Sequence, residues 1–145
     1  MDKTILATRN TFEKRERLCS KKSNDRLFAS GKSFISYPLR IVYFMHDGEG
    51  NTQSSRASVL ISVSKKKFKR AVKRNRVKRL IRESYRLNKH DFVYKLDSCN
   101  KYIDIAFLYL KNELPEFAEV QKAMQKALMI LDGKVTEDVD EKNTL

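Results

Sequence analysis

Between Lys65 and Arg82 the chain places eleven lysines and arginines in eighteen residues, with no acid, yet Val77, Leu80 and Ile81 recur through the run at helical spacing. On a wheel of ~100° per residue, Val77, Leu80, Ile81 and Ser84 gather on one side. Asn75, Lys78, Arg79, Arg82 and Arg86 fall opposite, with Arg76 at their margin. This is an amphipathic helix that must seat its stripe on a scaffold. Its other side is unusual for a merely solvated face, which normally mixes signs, because like charges at i, i+4 oppose each other by a few tenths of a kcal/mol per pair.

Lys65 to Arg70 precede or open this helix, where free N–H groups and the positive dipole end favour anions over cations. Both anomalies disappear if a polyanion sits on the face. Arginine dominates within the helix, and its planar fork suits bidentate phosphate and base-edge contacts. Asn75 adds a donor and acceptor able to read a base or a 2′-hydroxyl. If about six cations meet phosphates, log K falls against log salt with a slope of roughly −4 to −5.

The charge of the whole chain agrees. The formal net charge is +13 over 145 residues. Residues 132–145 hold five acids against two lysines, net −3, so the remainder carries +16. Such one-signed surfaces pair with nucleic acid. A DNA zipper is excluded, since the heptad from Leu80 and Leu87 lands on Tyr94 and Lys101. The basic helix beside an aromatic-rich strand points to folded RNA, with a stacking surface for single strands.

The rest of the chain supplies the scaffold. A short helix is expected over about Lys21 to Ala29, stopped by Gly31. From Phe34 to Met45, Tyr37, Leu39, Ile41, Tyr43 and Met45 share one face at period two, which predicts a strand. "HDGEGNTQSS" (46–55) reads as an exposed hairpin loop, so that a second strand, "ASVLISV" (57–63), pairs back on the first. The pattern breaks at "NKHDFVYKLDSCNK", and "YIDIAFLYL" (102–110) is a third strand. A final helix begins near Pro115, with Glu116 and Glu119 in its first turn and Phe117, Val120, Met124, Ala127, Leu128 and Leu131 at helical spacing. Gly133 is expected to end it, leaving an acidic disordered tail. The fold class is α+β, one domain of helices packed on a mixed sheet as a two-layer sandwich.

Other features argue against other functions. Cys19 and Cys99 lack any metal-ligand spacing and read as reduced thiols. His46 and His90 have no spacing partners, so no metal site is expected. "GKS" at 31–33 lacks the earlier glycine and the strand of a phosphate loop. Between Lys65 and Asn100 the acids are Glu83, Asp91 and Asp97, too few and scattered for a carboxylate nuclease. The longest apolar run, "IAFLYL", is too short to span a bilayer, and "MDKTILATRN" lacks a signal peptide's apolar stretch, so a cytoplasmic address is expected, with no membrane and no small-molecule substrate.

The run "SVSKKKFKRAVKRNRVKRLIRESYR" (62–86) closely resembles the protein subunit of bacterial ribonuclease P, through its Ser-Lys-Lys, Ala-Val and Arg-Asn-Arg followed by Lys-Arg and Arg. The resemblance extends to "RL" at 17–18, "LFASGKS" at 27–33, "IDIAFLYL" and the final helix, about residues 12–131. It implies an α-β-β-β-α-β-α order with a left-handed βαβ crossover. The domain over 12–131 is expected to be flanked by a flexible N-terminus over 1–11 and the acidic tail over 132–145. It also implies that Arg74, Asn75, Arg76, Lys78, Arg79 and Arg82 bind the catalytic RNA, with Lys65, Lys66 and Arg70 extending the patch. The cleft between the first helix and the sheet would take the 5′ leader of precursor tRNA, with Phe28 and Tyr43 on its wall. Asn24 stands where the family usually has an aromatic residue. The implied activity is that of a holoenzyme subunit: cleavage is performed by Mg2+ bound to the partner RNA, with no catalytic residue and no tightly bound cofactor in the protein. The basic helix alone would equally allow a structural RNA-binding protein of ribosomal type.

Overall fold

The structure, a computed structural model, describes residues 12, 16–18, 20–47 and 55–143, the last four of these without their side chains. The N-terminus 1–11, Cys19 and most of the 46–55 loop lie outside the described residues. Eight elements follow in order: α1 (Lys21–Ser30), β1 (Lys32–Ser36), β2 (Leu39–His46), β3 (Ala57–Ser62), α2 (Ala71–Asn88), α3 (His90–Ser98), β4 (Tyr102–Tyr109) and α4 (Phe117–Asn143). The order matches the expected one with α3 added.

The sheet runs β1-β2-β4-β3. β4 pairs antiparallel with β2, setting Ile41 opposite Phe107, and parallel with β3, setting Val59 opposite Ile105. The expected pairing of β3 on β2 is therefore wrong. β4 is the most apolar strand, buried on both faces from Ile103 to Phe107, and a strand of that kind takes the centre. The hairpin is instead β1–β2, closed at Tyr37–Pro38, where the peptide bond is cis. The period-two reading ran through this turn because Tyr37 and Leu39 keep the same parity, although Tyr37 is 64% exposed and Leu39 fully buried.

One sheet face carries Leu39, Ile41, Tyr43, Val59, Ile103, Ile105, Phe107 and Tyr109 into the main core with α2, α3 and α4. Each fully buried Val or Ile there is worth ~1.5–3 kcal/mol. By strand alternation the other face presents Val42 and Ala106, which α1 covers with Leu27 and the preceding Leu18. α1 starts at Ser20, whose Oγ accepts from the Ser23 N–H at 3.3 Å. It stops at Gly31, as expected, for reasons of space: a Cβ there would stand 2.3 Å from the Leu27 carbonyl oxygen and 2.9 Å from that of Tyr43.

α3 was not expected. Its apolar stripe is just Phe92 and Leu96, too short a repeat to read. Asn100 closes it at φ 54, and the Lys101 N–H donates to the Leu96 carbonyl at 2.9 Å. α4 corrects a second expectation: it passes through Gly133 to Asn143, so residues 132–143 are helical rather than a disordered tail. Val135 continues the buried stripe one turn beyond Leu131, Gly133 faces open space, and Asp138 reaches the buried Lys101 at 2.9 Å.

Candidate nucleic-acid interface

α2 seats itself by Val77, Ile81, Ser84 and Tyr85, all fully buried. Leu80, placed in the stripe by the wheel, is half-buried, and Tyr85 was missed. Tyr85 packs edge-on against Phe12 at 5.9 Å and tilted on Phe107 at 5.9 Å. Burial, then the Glu16 carboxylate, pushes its phenol far above the ordinary value. Opposite this stripe Asn75, Arg76 and Arg79 are exposed, with Lys78 and Arg82 half-exposed. Lys65, Lys66 and Arg70 are exposed on the approach to the helix.

No acid of the described residues pairs with Lys65, Lys66, Arg70, Arg76, Lys78, Arg79 or Arg82. The one acid on the helix, Glu83, is taken by Arg86, whose Nε donates to Oε2 at 3.0 Å. That pair holds the Glu83 carboxyl below its ordinary value, chiefly through the Arg86 hydrogen bond. The helix start adds to the positive field, since no side chain caps it and its first turn holds no acid. Arg74 differs from its neighbours. Its Nη1 donates to the carbonyls of Phe68 at 2.8 Å and Lys69 at 2.7 Å.

The expected leader residues are not brought together. Phe28, on α1, is 51% exposed, as a stacking residue should be. Tyr43 is 6% exposed on the opposite sheet face, edge-on to Phe34 at 6.0 Å. Burial, then Glu137, raises its phenol. It belongs to the core beneath α4, and its expected place on the α1 cleft wall is corrected. Parity decides this: Tyr43 shares its side with Leu39 and Ile41.

The α1 face instead carries its neighbours of opposite parity. Phe44 stacks on His46 with centroids 6.4 Å apart, and His46 on Tyr102 at 5.8 Å, with interplanar angles of 21° and 18°. The Arg26 guanidinium lies 4.8 Å from the Phe44 ring, and that of Arg56 4.4 Å from Tyr102. Asp104, 3% exposed, accepts from Arg26 at 3.3 Å and faces His46 at 3.3 Å, tying α1 to the sheet. An aromatic row ended by guanidinium planes offers what unpaired bases stack upon. The sequence held two signals for it: the Phe44–His46 parity, and an acid inside the apolar run of β4.

Among the described residues no three His, Cys, Asp or Glu converge as a metal site, and no helix is long and apolar enough to cross a membrane. Cys99 forms no disulfide among the described residues.

A family model described as Ribonuclease P matches residues 12–132. The chain belongs to the ribonuclease P protein family. It is 47% identical over 124 residues to the ribonuclease P protein component of Porphyromonas gingivalis, covering 86% of this chain and 88% of that one. To the component of Chlorobium phaeobacteroides it is 31% identical, over 82% of this chain and 86% of that one. The fold is similar to that of the Staphylococcus aureus RNase P protein, with a TM-score of 0.61 at 22% identity over 80% of this chain and 94% of that one. It is also similar to the RNase P protein of Thermotoga maritima, with a TM-score of 0.58 at 24% identity over 78% and 94%. Ribonuclease P membership makes this an RNA-binding protein of tRNA processing, a subunit of a ribonuclease holoenzyme.

Proposed function

We propose that the chain binds the catalytic RNA of ribonuclease P through α2 and the loop before it, and guides the 5′ leader of precursor tRNA along the α1 face of the sheet. The observation that carries this reading is the row of unpaired cations on α2. None of the eleven cations from Lys65 to Arg82 meets an acid of the described residues, and the one acid on α2, Glu83, is taken by Arg86. A protein keeps such repulsion where another molecule removes it. Arg76 and Arg79 present guanidinium forks outward, and Asn75 stands beside them.

On the other face, Phe28 and the Phe44–His46–Tyr102 row would stack leader bases, flanked by the guanidinium planes of Arg26 and Arg56, whose charges are paired with Asp104 and Asp97. Asn24 fits a thinner stack at the α1 end, being half-buried rather than a platform. Hydrolysis at the 5′ end is assigned to Mg2+ held by the partner RNA. The protein contributes affinity and lowers repulsion between two polyanions, so that less Mg2+ is needed to bring them together.

Precursor-tRNA cleavage at low Mg2+, with and without this chain and the ribonuclease P RNA, tests the reading. A rate gain that depends on the chain and falls steeply with salt is expected. Equal rates with and without it would overturn the function, and full activity of an Arg76→Ala, Arg79→Ala double variant would overturn the site.

A further inference from the structure

We propose that Arg74 is a positioning residue rather than a phosphate contact: its guanidinium holds the loop of residues 64–70 in the shape that presents Lys65, Lys66, Lys69 and Arg70 as one surface. The inference rests on the reading of α2 as RNA-facing, and divides the labour within its Arg-Asn-Arg run. Three observations carry it.

The first is where the hydrogen bonds go. The carbonyls of Phe68 and Lys69 lie just before the helix, whose first bond runs from the Arg74 N–H to the Arg70 carbonyl at 3.3 Å. No backbone N–H of the described residues reaches the two carbonyls before it, and Arg74 Nη1 serves both, at 2.8 and 2.7 Å.

The second is that the loop is a built object. Ser64 shapes its start: Oγ accepts from the Lys66 N–H at 3.1 Å, and the carbonyl from those of Lys67 and Phe68 at 3.1 and 3.3 Å. Phe68 is buried and stacks on Tyr109 at 6.1 Å. One end is thus tied by Ser64, the middle by Phe68 and the far end by Arg74, while Lys65, Lys66, Lys69 and Arg70 stay exposed. Five cations in seven residues would otherwise spread apart, and the Arg74 bonds oppose that.

The third is contrast. Arg76 is exposed and makes no comparable bond, whereas Arg74 is half-buried with Nη1 occupied.

The test has two arms. In the free protein, amide hydrogen exchange at Lys66, Lys67 and Phe68 should quicken at least tenfold in Arg74→Ala and stay unchanged in Arg76→Ala, with the amides of Val77 and Ile81 still protected in both. Arg74→Met, which keeps the aliphatic stem, repeats this arm should the alanine variant fold poorly. In the second arm, binding to the ribonuclease P RNA is measured against salt. Arg76→Ala should flatten the slope by one contact, roughly 0.7–0.9, and Arg74→Ala by about two contacts or more. Adding Lys69→Ala to Arg74→Ala should then cost less than it does alone. Unchanged exchange in Arg74→Ala, or a one-contact slope loss additive with Lys69→Ala, would overturn the proposal. Salt-independent binding of the parent chain would sink the RNA-facing reading instead, and the exchange arm would still decide the role of Arg74.

Discussion

α2 and α4 lie on the same face of the sheet, bury comparable apolar stripes and touch each other, yet treat charge in opposite ways. Along α2 Arg76 and Arg79 are exposed and Lys78 and Arg82 half-exposed, with no acid of the described residues paired with them. Along α4 each of Glu119, Glu137 and Asp138 meets a lysine: Lys111 at 2.9 Å, Lys134 at 3.7 Å and Lys101 at 2.9 Å. Charge that a fold needs for itself is paired inside the fold. On the proposed reading, the dense charge left unpaired along α2 at a cost in repulsion is held for a second molecule. Arg86–Glu83, near the C-terminal end of α2, marks the border between the two regimes.

The comparison can be broken most directly on the α2 side. Arg76→Ala with Arg79→Ala should cost roughly 2–4 kcal/mol of RNA binding at low salt, about thirty- to a thousandfold in Kd. The thermal midpoint should stay level or rise as repulsion falls, which a melting curve checks; a drop in stability would mean these arginines work for the fold. On the α4 side the reverse is expected. Lys101→Met removes the buried cation facing Asp138 and Asp47, and should cost about 1–2 kcal/mol of stability in urea unfolding, with RNA affinity unchanged.

Two smaller effects sharpen the contrast inside α2. The Tyr85 hydroxyl is buried with no hydrogen-bond partner among the described residues, so Tyr85→Phe should be neutral or add about 1 kcal/mol of stability. Its phenol is held far above the usual 10, so the fold resists its ionisation and loses stability as pH climbs past 10, where the unfolded chain ionises freely. Alkaline unfolding of Tyr85→Phe should therefore begin at higher pH. The smallest effect belongs to Glu83, whose carboxyl sits below its ordinary 4.5. Its pairing stabilises the fold above that value, and the gain fades as pH falls below 4.5 through the folded-state pKa. Because the pair is exposed, acid titration of Glu83→Gln should differ only slightly from that of the parent chain, and only in that window.

Much of this was legible because periodicity reports one-sided burial. The α2 stripe of Val77, Ile81 and Ser84, the Gly31 stop and the strand at 102–110 follow from residue spacing alone. Sheet order did not, since which strand takes the centre depends on competition among strands far apart in sequence. Tyr43 was misplaced for a related reason: an aromatic residue within a strand can face either layer, and only the register shows that Phe44 and His46 face α1. The continuation of α4 past Gly133 rests on Val135 and on Lys101, a contact with a residue thirty-seven positions away from Asp138 that local spacing cannot report. Arg74 looks like its neighbours in sequence, and only its two carbonyl partners set it apart.

The position of β4 between β2 and β3 also governs how the molecule comes into being. During synthesis the strands on either side, and the basic helix itself, leave the ribosome before the strand that joins them, so no complete sheet can form until residue 109 has emerged. For that interval the Ala71–Asn88 segment is a polycation without its seat, and the last strand to arrive turns a loose run of charge into a shaped one.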